Sequence, residues 1–583
     1  MQFLSKIIPV WLILYQRKNL LPDLTAGIIF TILVIPQSLA YALLAGLPPQ
    51  DGLYVSIFPV IAYSLFGSSM VQAVGPVAVT AIMTLTVLSP LAVPMSPEYI
   101  SLAASLSLIS AVLLLVFGFL RLGFLSQLLS RPVINGFIAG ASILIVISQI
   151  KYVLGVHTSS ESFMDLLSTI FNQSASIQRS TVIIGLSSLA VLIFARYGLA
   201  SILSRVGFAS GAAALIVRVV PLIVILLGTT YVIRFDLDYP DGVATIGNVI
   251  EGLPGFNFFF PNYNSLHVLI VPALLMTLIG MVQGISMAQV LAIKRQERID
   301  ANAELIGLGA SNFVSAFYGG MPVGGGVSRS AVNVAAGAQT PLAGIVSAIA
   351  MIGVVAGAAH WFARIPLSVL AANIIVAAFS MLDFKLLRDA WRYDRADALA
   401  LLGTVLGVIV LGLGSGIMLG IGLSLATLLY RASIPHIAVI GRIKSTEHFR
   451  NVERHNVETL PNALFVRIDG SLFFGNLNAI EARLIFEVTK NAKIKELVLM
   501  MSAVNFIDTT GMEVLTELNR GMVNRGIRLH FAEIKGPVQD RLINSPLLQS
   551  LSGSVFMSIN EAFEAFSISK VSDNSDEPVG DPV

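Results

Sequence analysis

From about residue 25 to residue 430 the chain alternates long apolar stretches with short polar ones, and beyond that point the rhythm changes. The apolar stretches fall near 25–45, 52–66, 71–88, 100–120, 132–150, 181–195 and 207–230, then 266–291, 306–318, 328–338, 343–359, 366–381, 399–412 and 415–430. About 20 apolar residues carry a straight helix across a bilayer, so these stretches predict fourteen membrane spans. From about Ala438 shorter runs appear. "ALFVRIDG", "ELVLMMSAV" and "IRLHFAEI" have strand character, while "NAIEARLIFEVTKNA" and "GMEVLTELNRGMVNRG" place apolar residues at helical spacing, predicting a separate α/β domain.

Composition agrees with a bilayer as part of the solvent. The chain of 583 residues is 55% hydrophobic and 12% charged, with a mean hydropathy of +0.82, more apolar surface than one soluble core encloses. A net charge of +2 and the lack of basic tracts with interleaved aromatics argue against a nucleic-acid partner. Cysteine is absent, which removes disulfides, thiolate metal sites and cysteine nucleophiles. The seven histidines show no metal-ligand spacing, and "GGMPVGGG" lacks the Gly-Lys-Ser/Thr ending of a phosphate-binding loop. Neither cofactor nor enzymatic site is expected.

Loop charges give the orientation, because Lys and Arg collect on the cytoplasmic side. Arg17, Lys18, Arg121, Arg131, Arg196, Arg205, Lys294, Arg295, Arg298, Lys385, Arg388, Arg392, Arg395 and Arg431 follow an even number of spans. "TVLSPLAVPMSPEY" and "DLDYPDGVATIGNVIEG", after odd ones, have no Lys or Arg. Lys151, Arg179, Arg234 and Arg364 are exceptions, each near a span end. Both termini are predicted to be cytoplasmic, with residues 1–20 forming an interfacial segment.

Two stretches are broken alike. The third opens with "AVGPVAVT" and the tenth with "GGGVSRSAV", each a short Gly- or Pro-interrupted segment standing third in its set of seven. Such a matched pair marks the midplane site of an inverted-repeat transporter. Irregular backbone at membrane depth survives only where protein or a wet cavity covers it. Half-helix N-termini with free N–H groups attract anions. Ser328, Ser330 and Arg329 would add hydroxyls and a fixed positive charge. Alternatively, Gly324–Gly326 form a packing turn and Arg329 reaches back to the surface.

These residues resemble a known family. "NAELIGLGASNFVSAFYGGMPVGGGVSRSAVNVAAGAQTPLAGI", "VIPQSLAYALLAGLPPQDGLYVS" and "QAVGPVAVTA" are similar to signature regions of the SulP, or solute carrier 26, anion transporters, and "VNFIDTTGMEVLTEL" resembles the loop and helix of a STAS domain. The resemblance implies an α-helical membrane protein of 14 spans in a 7+7 inverted repeat, with core and gate domains, working as a dimer by an elevator-like displacement. It implies a transport domain over 21–432 and a STAS domain with its linker over 438–568, while the acidic, Pro- and Ser-containing composition of 569–583 predicts a disordered tail. It places Gln37 and Tyr41 of the first span, the backbones of Val77 and Ala78 in the third, and Ser328 and Arg329 in the tenth around the substrate.

Gln37 and Tyr41, four apart, share one helical face, although Gln37 could serve an interhelical hydrogen bond and Tyr41 packing. Gln283 stands where many cation-coupled members carry Glu or Asp. An amide takes up no proton near neutral pH, so exchange or weakly coupled uptake is expected; polar packing is the competing role. Thr510 occupies the phosphorylatable position of related bacterial STAS domains, while Asp508, Thr509 and Gly511 also read as a helix cap. The substrate is expected to be an inorganic anion, foremost sulfate, with bicarbonate, chloride or a dicarboxylate as alternatives, carried across a bacterial inner membrane or plasma membrane in contact with its lipids. A different class, an anion-sensing regulator signalling through the STAS domain, shares these features.

Overall fold

The computed structural model describes residues 9–13, 15–127, 130–156, 178–208, 210–237, 242–247, 252–256, 263–357, 359–379 and 382–573. The loop around 157–177, expected on the outer side, and the last ten residues of the expected tail lie outside them. The chain divides into two compact units, Met1–Ser424 and Leu425–Val583.

Each predicted apolar stretch holds a helix: α1 (Leu20–Leu44), α2 (Phe58–Phe66), α3 (Ala78–Leu88), α4 (Pro97–Phe119), α5 (Arg131–Leu154), α6 (Arg179–Phe194) and α7 (Ser210–Arg234), then α8 (Tyr263–Arg295), α9 (Ala301–Tyr318), α10 (Val327–Ala335), α11 (Leu342–Gly357), α12 (Leu367–Phe379), α13 (Arg395–Leu411) and α14 (Leu413–Ser433). Among the described residues, six helical segments are long and apolar enough to cross a membrane. The short helices are informative. α3 and α10 follow two-residue strands, β1 (Val74–Gly75) and β2 (Gly324–Gly325), which lie at the Gly- and Pro-interrupted segments that the sequence marks as broken.

The helices sort into two sets. α1–α4 pack with α8–α11, chiefly α9 on α4 and α2, and α11 on α1; α5–α7 pack with α12–α14, chiefly α5 on α13 and α12. The sets meet where α1 touches α7 and α12 and where α3 touches α5. Small residues bring backbones together, as lipid-embedded helices require. In "GFIAG" a Cβ on Gly136 would stand 2.6 Å from the Leu401 carbonyl, and on α14 a Cβ at Gly416 would stand 2.4 Å from the Val408 nitrogen. In the segment before α1, Trp11 is buried and donates its indole N–H to the Ser64 carbonyl at 2.7 Å, so this residue docks on the helices.

In the second unit, β3 (His436–Arg442), β4 (Phe449–Asn451), β5 (Ala463–Asp469), β6 (Glu496–Met500), β7 (Arg528–Ala532) and β8 (Val555–Phe556) form one sheet in the order β4-β3-β5-β6-β7-β8. β5 through β8 pair in parallel and β3 runs antiparallel to β5. The helices α15 (Leu477–Thr489), α16 (Thr509–Val523), α17 (Gly536–Ile543) and α18 (Ile559–Asp573) accompany it. Parallel strands have apolar cores on both faces: Leu484, Leu515 and Phe531 in one cluster, Phe465, Val498 and Phe563 in the other. α18 runs to Asp573, into the stretch expected as tail, because its Phe563 and Phe566 pack inward.

A polar latch joins β6, β7 and β8. Buried His530 faces the Glu496 carboxylate through Nε2 at 2.8 Å, and its Nδ1 accepts the Ser554 N–H at 2.9 Å. Nδ1 therefore carries no proton. Desolvation holds the imidazole below the usual histidine range, although Glu496 acts in the opposite direction. The unfolded chain, with an ordinary histidine near 6.5, binds the proton more readily, so this contribution is complete above about pH 6.5 and is lost as pH falls through the folded value. Hydrogen exchange of the intact protein, corrected for intrinsic rates, should accelerate at 528–532 and 555–556 below about pH 6.5, and His530→Asn should flatten that dependence.

Candidate functional site

β1 and β2 pair antiparallel, Val74 opposite Gly325 and Gly75 opposite Gly324. Each strand feeds a helix at once: Val77, extended at φ −129° and ψ 150°, precedes α3, and Gly326, at φ −90° and ψ 123°, precedes α10. Neither helix start has a side-chain cap. The N–H groups of its first turn have no partner inside the helix, so both positive ends are left to whatever lies beside the crossing. Hydrogen bonds fix this arrangement. Ala73 donates its N–H to Ser330 Oγ at 3.0 Å, Gly326 donates to the Ala73 carbonyl at 3.2 Å, and Asn333 Nδ2 donates to the Val71 carbonyl at 3.0 Å.

Arg329 lies at this crossing and is 1% exposed. Its guanidinium donates from Nη1 to the Pro76 carbonyl at 3.2 Å and from Nη2 to Ser56 Oγ at 3.3 Å, and stands 5.8 Å from the Phe30 ring centre. Nε has no partner, and no carboxylate pairs with Arg329 among the described residues. A guanidinium offers five N–H donors, so the chain leaves much of this group's bonding capacity unused. It does not return to the surface. The glycines serve close approach: a Cβ on Gly75 would stand 2.7 Å from the guanidinium carbon, and one on Gly326 would meet the Val77 side chain at 3.0 Å.

The expected residues gather here in part. Tyr41 is buried on α1. Gln37, one turn earlier on α1, is half-buried with its Oε1 unpartnered. Val77 and Ala78 are buried at the start of α3. Ser328 lies in the first turn of α10, and its side chain is outside the described residues. Gln283 is half-buried on α8, whose next residue, Gly284, packs against Gly325, so the expected coupling position adjoins the crossing. Thr510 lies in the other unit, exposed in the first turn of α16. Asp508 supplies the cap, accepting the Gly511 N–H at 2.7 Å and the Phe474 N–H at 2.9 Å.

Sequence reasoning missed the support behind the crossing. Glu304 on α9 is fully buried and accepts hydrogen bonds from the Tyr63 hydroxyl, from Ser68 through N–H (3.2 Å) and Oγ (2.8 Å), and from Gln72 Nε2 (3.0 Å). Gln72 in turn lies against Gly325, where a Cβ would stand 2.3 Å from Nε2. The signal was a lone acidic residue in an apolar helix, which demands partners in a membrane. Asp23 at the start of α1 acts similarly, accepting from the N–H groups of Gln339 and Thr340 and from the Thr340 hydroxyl at 2.6 Å.

Comparison with known proteins follows the same division. Residues 20–404 match the model of the sulfate permease family, and residues 454–562 that of the STAS domain. The chain is 33% identical to "Sulfate transporter 4.1, chloroplastic" of Arabidopsis thaliana, over 87% of this chain and 74% of that one. It is 30% identical to a "Probable sulfate transporter" of Mycobacterium tuberculosis, over 95% and 96%. The fold superposes on the inward-facing structure of murine solute carrier 26 family member A9, an anion transporter, with a TM-score of 0.85 at 22% identity, covering 97% of this chain and 95% of that one.

Glu304→Ala would strand the Tyr63, Ser68 and Gln72 donors in the interior, at about 1–3 kcal/mol each before relaxation. Thermal unfolding of the purified protein should show a large drop in midpoint for Glu304→Ala and a smaller one for Glu304→Gln, which keeps an acceptor. Equal midpoints for Glu304→Ala and wild type would contradict the network.

Proposed function

The chain belongs to the sulfate permease family and carries a STAS domain at its C-terminal side, and from that premise we propose that it is a secondary carrier of inorganic anions with sulfate as its principal substrate. Arg329 carries this reading: a guanidinium 1% exposed, with no carboxylate partner among the described residues and an unused Nε donor, beside two uncapped helix N-termini. A buried cation left this way costs several kcal/mol unless an anion meets it. Sulfate would complete the site. Backbone N–H groups of Val77 and Ala78, the Arg329 guanidinium and Ser328 face the oxyanion, and Gln37 and Tyr41 close it from α1. Arg329 also ties the site together, since the same group holds Pro76 and Ser56.

The two helix sets supply the moving parts. α1–α4 with α8–α11 form the core that carries both broken segments, and α5–α7 with α12–α14 form the gate, in a 7+7 inverted repeat of 14 spans with cytoplasmic termini. The core shifts against the gate as an elevator, in a homodimer of the inner or plasma membrane. Neutral Gln283 beside the crossing favours exchange over carboxylate coupling, and Thr510, exposed on the STAS domain, is a regulatory position. Donors of this kind accept bicarbonate as readily as sulfate, and the relatives' names favour sulfate.

Proteoliposomes holding the purified protein decide this by uptake of labelled sulfate with internal sulfate, bicarbonate, chloride or no anion, at matched and mismatched pH. Uptake that needs an internal anion and ignores pH is expected. Arg329→Ala removes two hydrogen bonds to a charged group, together about 3 kcal/mol or roughly 100-fold in affinity, while Thr510→Ala leaves uptake in place. Uptake driven by external acid without internal anion would transfer coupling to a buried carboxylate such as Asp51, whose Oδ2 has no partner. No flux of any anion would establish the sensor.

A further inference from the structure

Between the end of α12 at Phe379 and the start of α13 at Arg395 runs a ten-residue helix, Phe384–Tyr393, with the sequence FKLLRDAWRY. It is too short and too polar to span a bilayer, and the chain fixes its place, because it joins the end of one apolar helix to the start of the next. It therefore lies at a membrane face, the one that the loop charges predict to be cytoplasmic. Lys385, Arg388 and Arg392 stand at i, i+3 and i+7, within an arc of about 60° on a helix that turns about 100° per residue. Leu387 and Ala390 lie away from that arc and are half-buried, and the helix packs against α13 and α5.

The three cations are exposed, and so is Arg395 at the start of α13. None of the four forms an ion pair among the described residues, whereas Arg442, Arg467 and Arg528 of the other unit pair with Glu458, Asp469 and Glu496. The acidic residues of the same stretch are placed elsewhere. Asp383 accepts the Lys385 N–H at 3.1 Å and Asp394 the Ala396 N–H at 2.8 Å, each at a helix N-terminus, where the helix dipole offsets a negative charge. Asp389 and Asp397 are half-buried. Beside the basic arc, Trp391 is 52% and Tyr393 85% exposed, the two residue types that settle at the boundary of headgroups and acyl chains.

Exposed, unpaired cations in one arc, flanked by interfacial aromatics at a membrane face, match a layer of negative charge over apolar chains. We infer that this helix binds the headgroups of anionic phospholipids, with Lys385, Arg388, Arg392 and Arg395 on the phosphates and Trp391 and Tyr393 at the acyl boundary. A zwitterionic headgroup carries its own cation and offers such a surface no net charge, so the site discriminates by lipid charge. Because the helix packs on α13 and α5, bound headgroups are held by the second helix set, apart from the set that carries Arg329.

The test places the intact protein in phosphatidylcholine nanodiscs containing a varied fraction of brominated phosphatidylglycerol or brominated phosphatidylcholine, and follows tryptophan emission. Bromine quenches a nearby indole, and the part of the quenching that Trp391→Phe removes belongs to Trp391. Phosphatidylglycerol is expected to quench Trp391 at a several-fold lower fraction than phosphatidylcholine, a preference that raised salt reduces by screening. Arg388→Gln and Arg392→Gln should each lower the preference about fivefold, the share of one cation at a charged surface. Arg392→Lys, which keeps the charge, should retain it. Equal quenching by the two lipids, quenching by neither, or a preference that survives Arg388→Gln combined with Arg392→Gln overturns the site. The signal needs no transported anion, so its failure is distinct from a failure of the sulfate reading.

Discussion

A guanidinium sealed inside an apolar helix bundle, with no acidic partner among the described residues, is the constraint around which the first unit is organised. Arg329 could be made neutral in effect by a buried carboxylate, the usual arrangement for a buried cation. The chain uses weaker partners instead, a carbonyl at Pro76, a hydroxyl at Ser56 and the face of Phe30. An internal carboxylate would satisfy the arginine permanently and compete with any arriving anion. Partial satisfaction holds the side chain in position and keeps its charge available, which a reversible binding site requires.

The acidic residues complete this logic by their placement. Glu304 is as buried as Arg329, yet its oxygens are taken by neutral donors from Tyr63, Ser68 and Gln72. Its oxygens are engaged behind the crossing. Through Gln72 it presses on Gly325, so the carboxylate sets the shape of the strand pair and the arginine supplies the field. Glycine at 75 and 325 is required by this economy of space, since a Cβ at either would overlap a side chain that the site needs.

Hydropathy made the helices legible because membrane helices must satisfy their backbone internally and hide it in apolar side chains. The break at "AVGPVAVT" and "GGGVSRSAV" was legible for the same reason, as the place where that rule is relaxed. The pairing of β1 with β2 was not, because two residues of Gly-rich strand have no alternation to read. Glu304 was passed over for another reason: its partners are 232 to 241 positions away, and only the fold brings them together. In the STAS domain β5, β6 and β7 were visible as buried apolar runs, while β4 and β8, short edge strands of three and two residues, lie below what pattern reading resolves.

The same helix, α1, links the readings of the first unit. Pro36 removes one intrahelical hydrogen bond near its middle, next to Gln37 on the Arg329 side and to Ile35 on the side of the seam between the two helix sets. A helix loosened at that height can lean without unfolding, and its neighbours differ in kind: a polar, hydrogen-bonded crossing on one face and a largely apolar cavity, lined by Ile35 and Leu39, on the other. Rigid contacts belong where charge must be held within hydrogen-bond distance. Loose apolar contacts suit the seam along which the two helix sets are proposed to slide, because dispersion is lost and regained there without stranding a polar group. The asymmetry across one helix is thus what a moving carrier of charge needs, and it is encoded in the two-residue offset between Gln37 and Tyr41 on one side and Ile35 and Leu39 on the other.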